Sequence, residues 1–219
     1  MLDIDLAVSI KRLSVAFVPL MLGIILHEVA HGWAALKRGD PTAAMLGRLT
    51  LNPVPHIDPM GLFVFVLTSL TGPFVFGWAK PVPVDPRYFR KPKQGMALTA
   101  LAGPVSNFVL AVLAMLISKV IYLYAPYSAA MDVVFSFCLY TLAPLSIGLG
   151  LFNLIPIPPL DGSKVLAAFL PDRQYITLMR YERYGIVVLL VLSFVGIGSS
   201  LISRGILGIY SALLSLIFG

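Results

Sequence analysis

The sequence predicts an all-α polytopic membrane protein, and three observations predict it. Hydrophobic side chains make up 58% of the 219 residues and charged ones 12%, against roughly 45–50% and about 25% in a soluble domain. The mean hydropathy is +0.92. Apolar stretches approaching or exceeding the roughly 20 residues of a membrane span recur along the whole chain. A soluble protein of this size lacks the polar surface to cover so much apolar side chain, so lipid must be the solvent for much of it.

The first apolar segment covers residues 13–36 and is broken only by His27, Glu28 and His31. Gly39-Asp40-Pro41 ends it, and residues 46–51 read as a short strand. Residues 52–59 hold three prolines and cannot be helical. The stretch 60–78 is apolar but interrupted by Thr71-Gly72-Pro73, and a basic, Pro-rich loop follows over 80–94. Residues 97–124 form the longest apolar run, with Gly103-Pro104 near its start. A further run over 131–155 ends in Pro156-Ile157-Pro158-Pro159-Leu160-Asp161-Gly162. Residues 163–183 are mixed and suit the interface; 186–203 read as a span and 206–218 as a shorter apolar helix. No internal repeat or soluble accessory domain interrupts this pattern, so residues 1–219 read as one membrane domain.

The net charge is +6. Its basic residues cluster: Lys80, Arg87, Arg90, Lys91 and Lys93 in one loop, Arg173, Arg180 and Arg183 in another. Between apolar segments such clusters suit cytoplasmic loops facing anionic lipid, not nucleic acid. The single cysteine, Cys138, excludes an internal disulfide. Lys11 and Arg12 before an apolar run resemble the start of a signal peptide. Several comparable runs follow, and the polar triplet comes at once, so a first membrane segment is the better reading.

That triplet belongs to His27-Glu28-Val29-Ala30-His31, the H-E-x-x-H pattern. On a helix, positions four apart share a face, so both imidazoles can reach one metal ion. Glu28 sits beside them, placed to take a proton from a water at the metal. Ionisable groups at membrane depth cost at least ~2.5–3.5 kcal/mol each and mark function by default. The plain alternative, two histidines snorkelling at a helix end, leaves them no structural task at that depth. A transporter or metal-ion carrier built on the same cluster is the rival class, although no inverted repeat accompanies it.

Catalytic zinc takes three protein ligands and keeps one position open. The third ligand has two candidates by residue type: His56, the remaining histidine, and Asp161, at the end of a long apolar run. Asp161-Gly162 alone equally suits a turn or a helix cap.

Three segments together resemble the signature of the site-2 proteases, a family of intramembrane zinc metalloproteases. They are His27 to His31, Leu101-Ala102-Gly103-Pro104-Val105-Ser106-Asn107, and Asn153 through Pro156-Ile157-Pro158-Pro159-Leu160-Asp161-Gly162, in the family's order. The likeness runs from the first segment to about residue 168 and is closest to short prokaryotic members without PDZ or CBS domains. It implies a zinc-dependent endopeptidase acting on transmembrane segments, with one Zn2+ per chain held by His27, His31 and Asp161, and Glu28 as general base. It also implies Asn153 as a substrate or oxyanion contact, with Asn107 and His56 as further candidates. Its implied architecture is a three-helix catalytic core over 13–168 and a membrane-associated β-hairpin, for which 46–51 is the candidate; the C-terminal helices at 185–219 are read from the apolar segments and carry no signature of the family. Implied substrates are membrane proteins or signal-peptide remnants.

One ion touching all three ligands also constrains topology. Two segments must deliver their C-terminal ends to the same side, so an odd number of crossings separates them. The 97–124 run supplies one, and 60–78 is therefore expected to be re-entrant or to lie along the interface, breaking at Gly72-Pro73. Counting basic residues, with 12 of 16 on the cytoplasmic side in this arrangement and 11 of 16 in the alternative, does not separate the two. The site itself is expected nearer the cytoplasmic side.

Overall fold

A computed structural model describes residues 6–71, 77–195 and 199–219. All regular structure among them is helical. Helix α1 covers Leu6–Leu36, α2 Thr42–Met45 and α3 Pro59–Thr71. Helix α4 covers Pro92–Tyr124, α5 Ala129–Ser136 and α6 Ala143–Asn153. Helices α7 (Asp161–Ala167), α8 (Asp172–Val195) and α9 (Ser199–Phe218) complete the chain. A π-helical turn over Phe137–Leu142 joins α5 to α6, so Ala129–Asn153 runs as one rod of 25 residues.

Four helices among the described residues are long and apolar enough to cross a membrane: Phe17–Leu36, Pro92–Tyr124, Ala129–Asn153 and Ser200–Phe218. Helix α8 is not one of them. Sequence reading divided this region into an interfacial stretch to 183 and a span over 186–203. Instead α8 carries the polar and apolar parts on one helix, and the expected span overlaps 196–198, outside the described residues.

Helix α4 is the centre of the fold. His31 meets Thr99 and His27 meets Asn107, so the order on α4 reverses that on α1 and the two helices are antiparallel. Gly150 of α6 abuts Pro104 and Phe108, while Ser118 reaches the Phe135 carbonyl, so α4 and the α5–α6 rod are antiparallel too. Hence α1 and α6 run parallel, both ending at the same level. Small residues permit the close approach: buried Ala111 and Ala114 on α4 share one cluster with buried Ala143 on α6, and buried Ser118 meets α5 at Phe135. Helix α9 closes this core through Ile217, and Lys119 donates to the Ile217 carbonyl at the C-terminal end of α9.

The expected β-hairpin is absent: no strand occurs among the described residues. Residues 42–45 form α2, and Gly47 adopts a positive φ of 64°, which turns the chain. Beyond it, Thr50 and Asn52 bond to backbone amides two residues on, and Pro53 and Pro55 have no amide hydrogen. The facing extended stretch, 77–85, contains Pro81 and Pro83, which cannot donate to a ladder. The Leu49-Thr50-Leu51 stretch mimics strand alternation, but the hydrogen-bond donors a sheet needs are missing.

Helix α3 has 13 residues, about 20 Å of length, short of a crossing. Gly61 near its start lies against Trp78, Gly77 lies against Phe65, and the Lys80 amide donates to the His56 carbonyl at 2.8 Å. Both ends of the 59–80 stretch therefore lie side by side. The break expected at Gly72-Pro73 lies outside the described residues.

The stretch 77–85 is pinned along its length. Arg48 donates to the carbonyls of Lys80 and Pro81 at 2.7 and 3.3 Å. The Asp85 amide donates to buried Asp40 at 2.7 Å. Asp40 also accepts from the Thr42 amide and hydroxyl, anchoring α2. Helix α8 starts from a similar anchor, where Lys93 pairs with Asp172 and donates to the Leu170 carbonyl at 3.0 Å. That ion pair holds the exposed Asp172 carboxyl below its ordinary pKa.

Candidate metal centre

Helix α1 presents His27 and His31 one turn apart, with ring centroids 4.5 Å apart and the planes nearly perpendicular. The surface facing them is α4, and the point of contact is Gly103. A Cβ there would sit 2.5 Å from the His31 ring and 2.6 Å from His27, so only glycine leaves room for both imidazoles. Pro104 next to it lacks an amide hydrogen and cannot donate to the Ala100 carbonyl one turn back, loosening α4 where it faces the rings.

Asp161 arrives from the other side, in the first turn of α7. Here Asp-Gly is not a turn but a close packing device. A Cβ on Gly162 would lie 2.2 Å from the Leu154 carbonyl, so the short helix stacks directly on the end of α6. That stacking places Asp161 Oδ2 at 2.9 Å from His27 Nε2 and 3.1 Å from His31 Nε2. All three side chains are buried, and their ligating atoms lie within 4.8 Å of one another.

Two imidazoles and a carboxylate are the donor set catalytic zinc takes. Bond lengths of about 2.0–2.2 Å at tetrahedral angles separate two ligand atoms by roughly 3.3 Å. The observed 2.9 and 3.1 Å require each group to move by only a few tenths of an ångström. The donor set and its spacing therefore fit a zinc ion.

The rings are oriented from behind. His31 Nδ1 lies 2.8 Å from the Thr99 carbonyl, so it carries the proton and leaves Nε2 toward Asp161. His27 Nδ1 lies 3.2 Å from the Asn107 carboxamide nitrogen. Asn107 is fully buried behind the His27 ring, away from the cleft.

Glu28 points into the same cleft as the three ligating groups, and its Oε2 accepts the Val82 amide at 2.7 Å. Because Pro81 and Pro83 flank it, Val82 has the only backbone donor over 81–83. The cleft, about 360 Å³, is also lined by Asn153, Thr99, Lys164 and Glu182. It has room for several waters, each needing upwards of about 10–15 Å³. Asn153 spends one amide hydrogen on the Leu149 carbonyl at 3.0 Å and keeps a second for the cleft.

His56 is not brought to this group. It is fully buried in a 3-10 turn over Val54–His56, with Nε2 donating to the Thr50 carbonyl at 2.9 Å. Sequence reasoning missed the Thr99 carbonyl, the Val82 amide, Lys164 and Glu182. The first two are backbone atoms with no residue-type signal, although a lone amide between two prolines was visible.

Comparison with known proteins identifies the family. The sequence pattern of Peptidase family M50 matches residues 116–196. "Putative zinc metalloprotease YwhC" of Bacillus subtilis is 37% identical over 187 residues, covering 83% of this chain and 81% of the relative. "Putative zinc metalloprotease Rip2" of Mycolicibacterium smegmatis is 30% identical over 175 residues, 78% of this chain and 63% of that one. "Zinc metalloprotease MJ0392" of Methanocaldococcus jannaschii is 24% identical over 160 residues, 73% of this chain and 35% of its own length. No solved structure matches. A relative so similar over four-fifths of both chains, and a buried His-His-Asp group on apolar helices, place the chain in peptidase family M50, as an intramembrane zinc metalloprotease.

Proposed function

We propose that His27, His31 and Asp161 hold a single zinc ion and that Glu28 is the general base of peptide-bond hydrolysis. The observation that carries this reading is the approach of one Asp161 oxygen to both imidazoles, 2.9 and 3.1 Å away, in the cleft that Glu28 lines. When bound, zinc would supply a Lewis acid that polarises the scissile carbonyl and lowers the pKa of a water toward about 7. Glu28 Oε2 is held by the Val82 amide, which leaves Oε1 to take the water's proton and return it to the leaving amine. The free amide hydrogen of Asn153 is positioned to donate to the developing oxyanion, an interaction worth roughly 3 kcal/mol in comparable sites.

Substrates on this reading are transmembrane segments of membrane proteins, remnant signal peptides included. Such a segment satisfies its own backbone in lipid as a helix and must unwind locally before a carbonyl can be attacked. The site opens nearer the cytoplasmic face, to which the basic loop at 80–93 contributes. Residues 1–219 act as one catalytic unit, with α1, α4, α6 and α7 supplying the site. The carrier alternative finds no support in the relatives, which are named as proteases.

Glu28→Gln tests the assignment. Cleavage of a membrane substrate should be abolished while zinc stays near one per chain. Retained cleavage would remove Glu28 as the base, and loss of zinc would make Glu28 a ligand instead.

A further inference from the structure

We infer that Asn107 is the positioning residue for His27, a two-way hydrogen-bond partner whose carboxamide turns over to fix the tautomer that metal binding requires. This rests on the zinc-ligand reading above and adds to it a residue outside the ligand set.

The argument starts from proton placement. As a hydrogen bond, the 2.9 Å contact between His27 Nε2 and Asp161 needs the proton on Nε2. Nδ1 is then an acceptor, and the Asn107 amide nitrogen stands 3.2 Å from it as donor. Coordination through Nε2 demands the opposite tautomer, with Nε2 a lone pair and Nδ1 protonated. A buried N–H must then find an acceptor, because leaving it unpaired is destabilising. Asn107 Oδ1 is such an acceptor, buried and without a hydrogen-bond partner among the described residues. Half a turn about the Cβ–Cγ bond axis of the planar amide exchanges Nδ2 for Oδ1 at the same place. An asparagine therefore serves both tautomers of His27 without moving its backbone.

His31 shows the contrast. Its Nδ1 faces the Thr99 carbonyl, an acceptor only, so its tautomer is set once and suits coordination throughout. Of the two imidazoles, His27 alone faces a partner able to donate or accept. Asn107 is fully buried and does not line the cleft, so its contact with the site is the His27 ring.

Zinc affinity of the full chain in detergent, measured by chelator competition, tests the proposal. Asn107→Leu keeps the size but offers no acceptor, and should bind zinc about 10–100-fold more weakly. Asn107→Asp restores an acceptor and should remain within about tenfold of the unsubstituted protein. A role in packing alone would not discriminate in that direction, since Asp places a charge in the same buried space. His27→Ala is the reference for the parent reading. If it binds zinc as tightly as the unsubstituted protein, the ligand assignment fails and this inference with it. If it binds weakly while Asn107→Leu binds normally, only the role of Asn107 is overturned. Should Asn107→Leu fail to fold, nitrogen NMR of the histidine-labelled protein with and without zinc decides: the His27 proton must move from Nε2 to Nδ1 on zinc binding, and a proton already on Nδ1 before zinc is added refutes the proposal.

Discussion

Asp161 and His27 stand 134 positions apart in sequence, and their side chains meet at 2.9 Å. Two parallel helices bring them to one level, and the stacking of Gly162 on the Leu154 carbonyl sets the last few ångströms. Asp161→Ala removes the carboxylate and leaves two imidazoles. Zinc affinity should fall by at least 100-fold and cleavage should vanish, as read by metal analysis after dialysis and by a membrane-substrate assay. Retention of one tightly bound zinc by this variant would require another third ligand.

Gly103→Ala tests the packing beneath the rings. The added methyl would sit 2.5–2.6 Å from both imidazoles, nearly 1 Å inside ordinary contact. Either the rings or α4 must give way, and misplacing catalytic groups by about 1 Å costs on the order of 100-fold. Cleavage should drop to that extent while the protein stays folded in detergent, because the same methyl adds helix propensity. Activity within threefold of the unsubstituted protein would show that α4 yields freely.

The base has its own support. Val82 donates its amide to Glu28 Oε2 at 2.7 Å, and hydrogen bonds to charged groups contribute about 1.5–3 kcal/mol. Val82→Pro removes that donor within a segment already extended and Pro-rich. Turnover should fall roughly 10–100-fold with zinc content unchanged. Parallel loss of zinc would mean that the substitution disturbs the ligands, not the aim of the base.

These contacts divide sharply by how far the sequence displays them. His27, Glu28 and His31 are legible because i and i+4 on a helix share a face, and because three ionisable groups have no other use in an apolar segment. Asp161 by residue type alone competes with His56 and with a simple cap; the likeness to a known family, not spacing, singles it out. The glycines at 103 and 162 are visible as glycines, but not what each one admits: Gly103 meets the His27 and His31 rings from another helix, and Gly162 meets the Leu154 carbonyl where α7 stacks on α6. The Thr99 carbonyl is invisible in principle, since every residue has one. Residues 46–51 mislead for a related reason: apolar alternation reports which side chains share a face, not whether a neighbour offers amide hydrogens. Pro81 and Pro83 withhold them. The expectation for 60–78 rested on a different kind of reasoning, a demand that one ion reach three groups. Such a demand counts crossings without describing any backbone.

Metal removal should separate folding from ligation. A ligand that binds only the folded chain stabilises it by RT ln(1 + [L]/Kd), about 2.7 kcal/mol at a hundredfold excess over Kd. For a chain of 219 residues that corresponds to roughly 5–10 °C in Tm. The zinc-loaded protein should therefore lose about that much on treatment with a chelator and regain it on adding zinc. Asp161→Ala should already melt low and respond to neither, because its three-ligand site is broken before any chelator is added. Glu28→Gln should behave like the unsubstituted protein in this measurement while being inert in cleavage, since its side chain faces the cleft and the Val82 amide without belonging to the ligating group. A chelator response in Asp161→Ala equal to that of the unsubstituted protein would place the stabilising metal elsewhere in the molecule.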